Sequence, residues 1–149
     1  MDEDAYNTAN VLNTGDDMED VCPVKLDRPY ADFVRAAPDA EELKRRVMDS
    51  YKRIFEGKDV VLVEGAVDYK AGKGLGISDL DVSRVLGLNV LMVVKYTNDF
   101  VIDEILAAKE LFGERLEFVL FNQLIGYKKV HVKDIAESGR ERRSCYRGC

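Results

Sequence analysis

The chain has 149 residues, 46% of them hydrophobic and 34% charged, with a net charge of −6. This length fits one domain with a hydrophobic core. The negative charge argues against general nucleic-acid affinity, because no basic surface is available to displace counterions. No apolar run is long enough to span a membrane. The cysteines, Cys22, Cys145 and Cys149, are too few for a disulfide framework, so we expect a reducing, cytoplasmic location.

The first 38 residues are acidic and only weakly patterned. Residues 2–13, DEDAYNTANVLN, indicate a short helix. Residues 14–38, which hold all three prolines, indicate a loop. The next helix is better defined, because Asp39 and Glu42 have the spacing of a capping box and Gly57 is a suitable terminator. Its apolar positions recur at helical spacing, namely Leu43, Val47, Tyr51, Ile54 and Phe55.

Residues 59–123 alternate between apolar runs and helical patterns. DVVLVEG (59–65) has the continuous apolar character of a strand covered on both faces. NVLMVVKY (89–96) indicates a second buried strand, and RLEFVLFNQ (115–123) indicates a third strand. Between them lie SDLDVSRVLG, with Ser78 or Asp79 as cap and Gly87 as stop, and an amphipathic helix over residues 98–113. The inward candidates of that second helix are Phe100, Ile105, Leu106 and Leu111. The order predicts a right-handed βαβαβ unit, and hence an α/β fold with a parallel sheet.

The chain from Leu124 onward is less patterned. Residues 126–139 are compatible with a helix, whereas residues 140–149, RERRSCYRGC, have no apolar period. His131 is the only histidine, and its neighbours favour a structural or surface role over a catalytic one.

The glycine-rich loop GKGLGIS does not match a phosphate-binding P-loop, which needs Gly-x-x-x-x-Gly-Lys-Ser/Thr between a strand and a helix. Val67 stands where the first glycine should precede Gly72-Lys73, and Gly74 replaces the hydroxyl residue. The loop also lacks the Gly-x-Gly-x-x-Gly spacing of a dinucleotide fold. Glu64 is the more informative residue here, because ligands gather at the carboxyl ends of parallel strands and a carboxylate there can hold magnesium. From spacing alone, an acid that merely ends a strand and faces solvent is favoured.

The stretch from DVVLVEG to VLFNQ resembles the dethiobiotin synthetase-like domain found at the front of some phosphate acetyltransferases. It is more distantly similar to dethiobiotin synthetase and cobyrinic acid a,c-diamide synthase. The resemblance covers about residues 1–135 and implies a three-layer αβα fold of the P-loop NTPase type. It also implies that Asp4 and Glu64 hold magnesium, that Asn122 contacts the adenine of ATP, and that Lys73 is only a loop lysine.

Two departures from the family pattern shape the expected function. The family places a strand, the P-loop, a helix and a second strand ahead of the DEDA element, with which this sequence begins. Without the cradle nothing orients a γ-phosphate, so we expect a truncated domain that is not catalytic alone. We predict one incomplete domain over residues 1–135 and an irregular tail over residues 136–149. The second departure is this tail, where the family continues with a helix and a further strand. Codons can be chosen for residues 138–149 such that the same DNA, read one base later, encodes that helix end and strand. Our hypothesis is therefore that the tail is translated in a shifted reading frame.

Three hypotheses for the function remain open at this stage. The first is a catalytically silent relative of the ATP-dependent ligase-like family. The second is an enzyme that uses ATP and magnesium and whose P-loop half is missing from this chain or supplied by another. The third is a regulatory or interaction module, because a half-complete sheet leaves an edge strand that invites pairing with a second copy or another partner chain.

Overall fold

The computed structural model describes residues 3–66, 68–98, 100–124 and 126. Its chain divides after Leu88 into two compact units. The helices of the first unit are α1 (Glu3–Leu12), α2 (Met18–Val21), α3 (Tyr30–Arg35), α4 (Ala40–Phe55) and α5 (Asp79–Leu86). The second unit contains β1 (Val90–Lys95), α6 (Val101–Phe112) and β2 (Leu116–Asn122).

Helix α4 is the longest helix described, and its start agrees with the sequence. The carboxylate of Asp39 caps it by accepting a hydrogen bond from the backbone N–H of Glu41 at 2.9 Å. Gly57 follows the last turn with a φ of +73°, a conformation that glycine adopts without strain. Leu43 is 4% exposed and anchors the helix in the core of the first unit.

The prediction of a loop over residues 14–38 is wrong in part, because this segment contains α2 and α3. Asp17 nucleates α2 by accepting from the backbone N–H of Glu19 at 2.8 Å. The carboxylate of Asp20 then ties α2 to α4 by accepting from Ser50 Oγ at 3.0 Å and from Arg53 Nη2 at 2.6 Å. These side-chain hydrogen bonds stabilise a helical turn in a segment rich in proline. Hydrophobic periodicity does not reveal such a turn, because it depends on polar contacts.

The glycine-rich loop leads directly into α5. Gly72 and Gly76, with φ of +85° and +71°, flank a 3₁₀ turn over Lys73–Leu75. Ser78 caps α5 and forms a reciprocal capping box with Asp81, and Gly87 ends the helix at a φ of +66°. The predicted bounds of this helix are therefore confirmed.

The predicted strand DVVLVEG is not formed in this structure. Val60–Gly65 have no regular secondary structure, and within the described residues they make no backbone hydrogen bond. Val60 and Leu62 are 72% and 91% exposed. An apolar run becomes a strand only where a neighbouring strand satisfies its N–H and C=O groups, and the described part of the first unit provides none.

The second unit is a parallel βαβ arrangement. Strands β1 and β2 pair from Val90↔Leu116 to Lys95↔Asn122, with an irregularity after Val90. One face of this sheet packs under α6 through a core of Val94, Tyr96 and Val101. Two of the three predicted strands and the helix between them are thus confirmed.

The opposite face of this sheet was expected to be covered, and within its own unit it is not. Four apolar side chains on this face are more than half exposed, namely Leu91, Val93, Phe118 and Leu120. The inward face of α6 differs from the prediction in part, since only Ile105 of the predicted residues packs against this core. Val101, Ala108 and Phe112 are buried, whereas Phe100, Leu106 and Leu111 are exposed. Periodicity alone could not choose between two apolar stripes of one helix, because the choice depends on which stripe meets β1 and β2.

The fold is α/β, as predicted. The predicted helix over residues 126–139, His131, Cys145, Cys149 and the tail from residue 136 lie outside the described residues apart from Gly126, and the boundary at residue 135 stays a prediction. None of the helices that the structure describes is long and apolar enough to cross a membrane.

Candidate functional site

The first unit contains an open cavity of about 790 Å³. One wall is a face of α1 on which residues one helical turn apart line up, namely Asp4, Ala5, Thr8, Ala9 and Leu12. A second wall is the face of α4 that carries Val47, Ser50, Tyr51 and Ile54. The extended segment Val60–Ala66 completes the lining. Most of this lining is apolar, so its few charged groups are the candidates for function.

Asp4 and Glu64, the two carboxylates assigned to magnesium by resemblance, both line this cavity. Both are exposed, and neither forms an ion pair with any residue that the structure describes. Asp4 lies in the first turn of α1, and Glu64 lies at the end of the extended segment. The structure therefore brings into one cavity two acids that are sixty positions apart in the sequence.

The cavity also holds an ion pair that the sequence did not indicate. Lys58 Nζ donates to the carboxylate of Asp16 and to the backbone oxygen of Ile54, the latter at 3.0 Å. The side chain of Asp16 is 15% exposed and that of Lys58 31%. The hydrogen bond from Lys58 lowers the pKa of Asp16, against the opposing effect of burial. Asp16 and Lys58 are 42 positions apart, so no local sequence pattern indicated that they would pair.

Asp79 contacts the residues that follow Glu64. Its Oδ1 accepts a hydrogen bond from the backbone N–H of Ala66 at 3.1 Å. Burial raises the pKa of Asp79, and the bond from Ala66 opposes that rise. The sequence pattern indicated Asp79 only as a possible helix cap, since no spacing links residue 79 to residue 66.

Lys73 is not directed at this cavity. Its Nζ donates to Asp81 Oδ1 at 2.7 Å, while the other oxygen of Asp81 accepts from Ser78. The lysine therefore braces the capping box of α5, which agrees with its expected role as a loop residue.

Asn122, assigned to the adenine by resemblance, belongs to the second unit. It is the last residue of β2, it is exposed, and it lies opposite Lys95 in the parallel ladder. Its role stays a prediction.

The donor chemistry of the cavity fits magnesium better than zinc. Among the described residues no group of three His, Cys, Asp or Glu side chains is close enough to hold a metal ion by itself. Mg²⁺ is commonly bound by one or two carboxylates, and water or substrate phosphate supplies its other ligands. Asp4 and Glu64 match that requirement in number and type.

Comparison with protein families decides the relationship. A family model described as an AAA domain matches residues 1–143. The chain belongs to this family. Together with the α/β fold described above, this match identifies a domain of the P-loop NTPase, dethiobiotin synthetase-like type.

Comparison with individual proteins agrees with the family. The chain is similar to the ATP-dependent dethiobiotin synthetase BioD of Methanocaldococcus jannaschii, with 30% identity over 98 residues. That alignment covers 61% of this chain and 45% of the relative, so the chain spans less than half of the curated protein it matches. No solved structure matches the chain.

Proposed function

We propose that this chain supplies the magnesium-binding carboxylates of a dethiobiotin synthetase-like nucleotide site. The observation that carries the proposal is the presence of Asp4 and Glu64 in one cavity, both exposed and both without a cationic partner among the described residues. Two uncompensated carboxylates in a largely apolar cavity attract a hard cation. Membership of the AAA domain family and the similarity to an ATP-dependent synthetase make a nucleotide the ligand class to test.

The proposed role is binding, without catalysis by this sequence alone. Residues 1–149 contain no Gly-x-x-x-x-Gly-Lys-Ser/Thr. Magnesium, when bound, neutralises charge on the phosphates of a nucleotide. In this chain Asp4 and Glu64 bind the cation, and the adenine-side role of Asn122 stays an expectation from the resemblance. Lys58 does not replace a cradle lysine, since Asp16 and Ile54 already accept its hydrogen bonds.

The proposal is tested by titrating the protein with Mn²⁺, a paramagnetic substitute for Mg²⁺, while the water proton relaxation rate is measured. We expect Asp4→Asn and Glu64→Gln each to weaken Mn²⁺ binding by at least about tenfold. Glu110→Gln is the matched control, because Glu110 is an exposed acid on α6 in the second unit. Wild-type affinity in Glu64→Gln contradicts the proposal. The titration is then repeated with ATP, for which the proposal predicts binding through Mn²⁺ but no turnover.

A catalytic version of the same proposal requires the phosphate cradle to come from elsewhere. It predicts that ATP turnover appears only after a segment with a strand and a P-loop is added, in cis or as a second chain. Turnover must then be lost in Glu64→Ala, whose missing carboxylate removes a magnesium ligand. Turnover by wild-type protein without any addition contradicts both versions.

Self-association is a second candidate function, and the unpaired segment Val60–Val63 favours it. Its exposed backbone groups and apolar side chains are those of an open sheet edge. A second copy of this chain is the occupant that fits best. In an antiparallel pair about a two-fold axis, Val60 meets Val63 and Val61 meets Leu62, so every contact is between apolar residues.

We also propose a reducing, cytoplasmic compartment, which fits the half-buried thiol of Cys22.

A further inference from the structure

The segment that carries Glu64 has one hydrogen-bonded attachment near its end. Within the described residues, Val60–Gly65 make no backbone hydrogen bond, and the N–H of Ala66 donates only to Asp79. A side chain on an unattached extended segment has no fixed position. The contact between Ala66 and Asp79 is therefore the interaction that limits where the Glu64 carboxylate can lie.

Steric packing adds to this hydrogen bond. A Cβ atom built on Gly65 would lie 2.2 Å from Asp79 Oδ2, so the carboxylate rests directly on the backbone of residue 65. The two oxygens of Asp79 thus contact the two residues that follow Glu64. Asp79 itself is rigidly placed, because it is the first residue of α5 and the preceding Ser78 is completely buried in a capping box.

We infer that Asp79 is a positioning residue that holds Glu64 in place for the cation. This inference rests on the proposed function, in which Glu64 is a magnesium ligand. Asp79 acts through the acceptor Oδ1 and through packing on Gly65. An asparagine keeps both an acceptor oxygen and the shape, so charge is not needed for the role. Outer residues that orient a metal ligand commonly influence affinity almost as much as the ligand itself.

The test measures Mn²⁺ affinity and the backbone amide of Ala66 in the same proteins. We expect Asp79→Ala to weaken Mn²⁺ binding about tenfold and to speed hydrogen exchange at the Ala66 amide. Asp79→Asn should leave both close to wild type. Asp103→Ala is the matched control, because Asp103 is also an acid in the first turn of a helix but lies in α6 of the second unit. If Asp79→Ala does not fold, Asp79→Ser replaces it, since its hydroxyl is too short to reach the N–H of Ala66.

Each outcome supports or overturns the inference. Wild-type Mn²⁺ affinity in Asp79→Ala, combined with weakened binding in Glu64→Gln, overturns the positioning role and leaves the proposed function intact. Equal losses in Asp79→Asn and Asp79→Ala also overturn it, because they make Asp79 a direct ligand whose charge matters. Unchanged binding in Glu64→Gln contradicts the proposed function and the inference together. Rescue by asparagine alongside loss in alanine supports the inference.

Discussion

The carboxylate of Asp79 lies on the backbone of Gly65, and a Cβ atom at residue 65 would stand 2.2 Å from Oδ2 and 2.7 Å from Cγ. Glycine is thus required at residue 65 by close approach. This differs from Gly72 and Gly76, where a positive φ is the reason for glycine. The pair Glu64-Gly65 is therefore a carboxylate followed by the one residue type that lets Asp79 approach.

Gly65→Ala should destabilise the fold by about 1 kcal/mol, because the added Cβ atom meets the Asp79 carboxylate although residue 65 is otherwise exposed. The clash is with a helix-anchored carboxylate, so Asp79 or the segment must shift. The free energy of unfolding in urea measures the loss. The double variant Gly65→Ala/Asp79→Ala provides the check, because removing the Asp79 carboxylate opens the space. Its loss should be smaller than the sum of the two single losses, and strict additivity would disprove the contact.

The pH dependence of Asp79→Asn follows from burial, which raises the pKa of Asp79 above its usual 3.8. In the window between 3.8 and the raised value, the folded chain holds a proton that the unfolded chain has lost. The contribution of this carboxyl to stability therefore grows as the pH falls and is unfavourable at neutral pH. We expect Asp79→Asn to be at least as stable as wild type at pH 7, with any advantage shrinking toward pH 4. Urea unfolding at the two pH values measures this, and an advantage that grows on acidification would contradict it.

Asp16 should show the opposite pH dependence. The hydrogen bond from Lys58 lowers its pKa below 3.8, so the unfolded state takes up the proton first on acidification. The stability that the pair contributes is fully present above the unfolded pKa and is lost as the pH falls through the folded value. Asp16→Asn should lower the urea midpoint at pH 7, with a smaller effect near pH 3. Asp27→Asn is the control, since the side chain of Asp27 is 63% exposed and pairs only with its neighbour Arg28. Equal losses in the two variants at pH 7 would argue against a special role for the cavity pair.

The cap of α5 offers a matched pair of serines. Ser78 is completely buried and its hydroxyl accepts from the N–H of Asp81 at 3.3 Å, whereas Ser83 Oγ only donates to the carbonyl of Leu80. Ser78→Ala should cost about 1 kcal/mol, as is typical for loss of an N-cap. Ser83→Ala should cost less, because the carbonyl of Leu80 keeps its helical role. Thermal unfolding of the two variants measures the difference, and an equal loss in both would contradict the capping role of Ser78.

Local patterns were sufficient to predict much of the fold. The Ser78 cap and the Gly87 stop are encoded within a few residues, and so is the start of α4 at Asp39. Strands β1 and β2 were also recognisable, since runs of five and four successive apolar residues, 90–94 and 118–121, limit the alternatives. The same composition misled at Val60–Val63, because a strand depends on its neighbour and no local signal reports whether one is present.

The candidate site was predictable only through family resemblance. Asp4 and Glu64 are separated by most of the first unit, and no spacing rule joins them. The Asp79–Ala66 bond and the Asp16–Lys58 pair were missed for the same physical reason. Both depend on how the loops after α1 and before α5 fold back on the cavity, and single-sequence patterns report only neighbours in the chain.

Leu62 gives the sharpest test of self-association, because its side chain is 91% exposed and contributes little to the core of one copy. If two copies pair through Val60–Val63, Leu62→Lys places a charge against Val61 of the second copy. Burying a leucine at an interface is worth about 1.5–3 kcal/mol, so dimer affinity should fall by at least about tenfold. Sedimentation equilibrium gives the dissociation constant, and the concentration dependence of the melting temperature checks it. The matched control is Val11→Lys, since Val11 is 83% exposed on α1 and does not line the cavity. A wild-type protein that stays monomeric at high concentration, or equal effects of the two lysines, would rule out this edge as the interface.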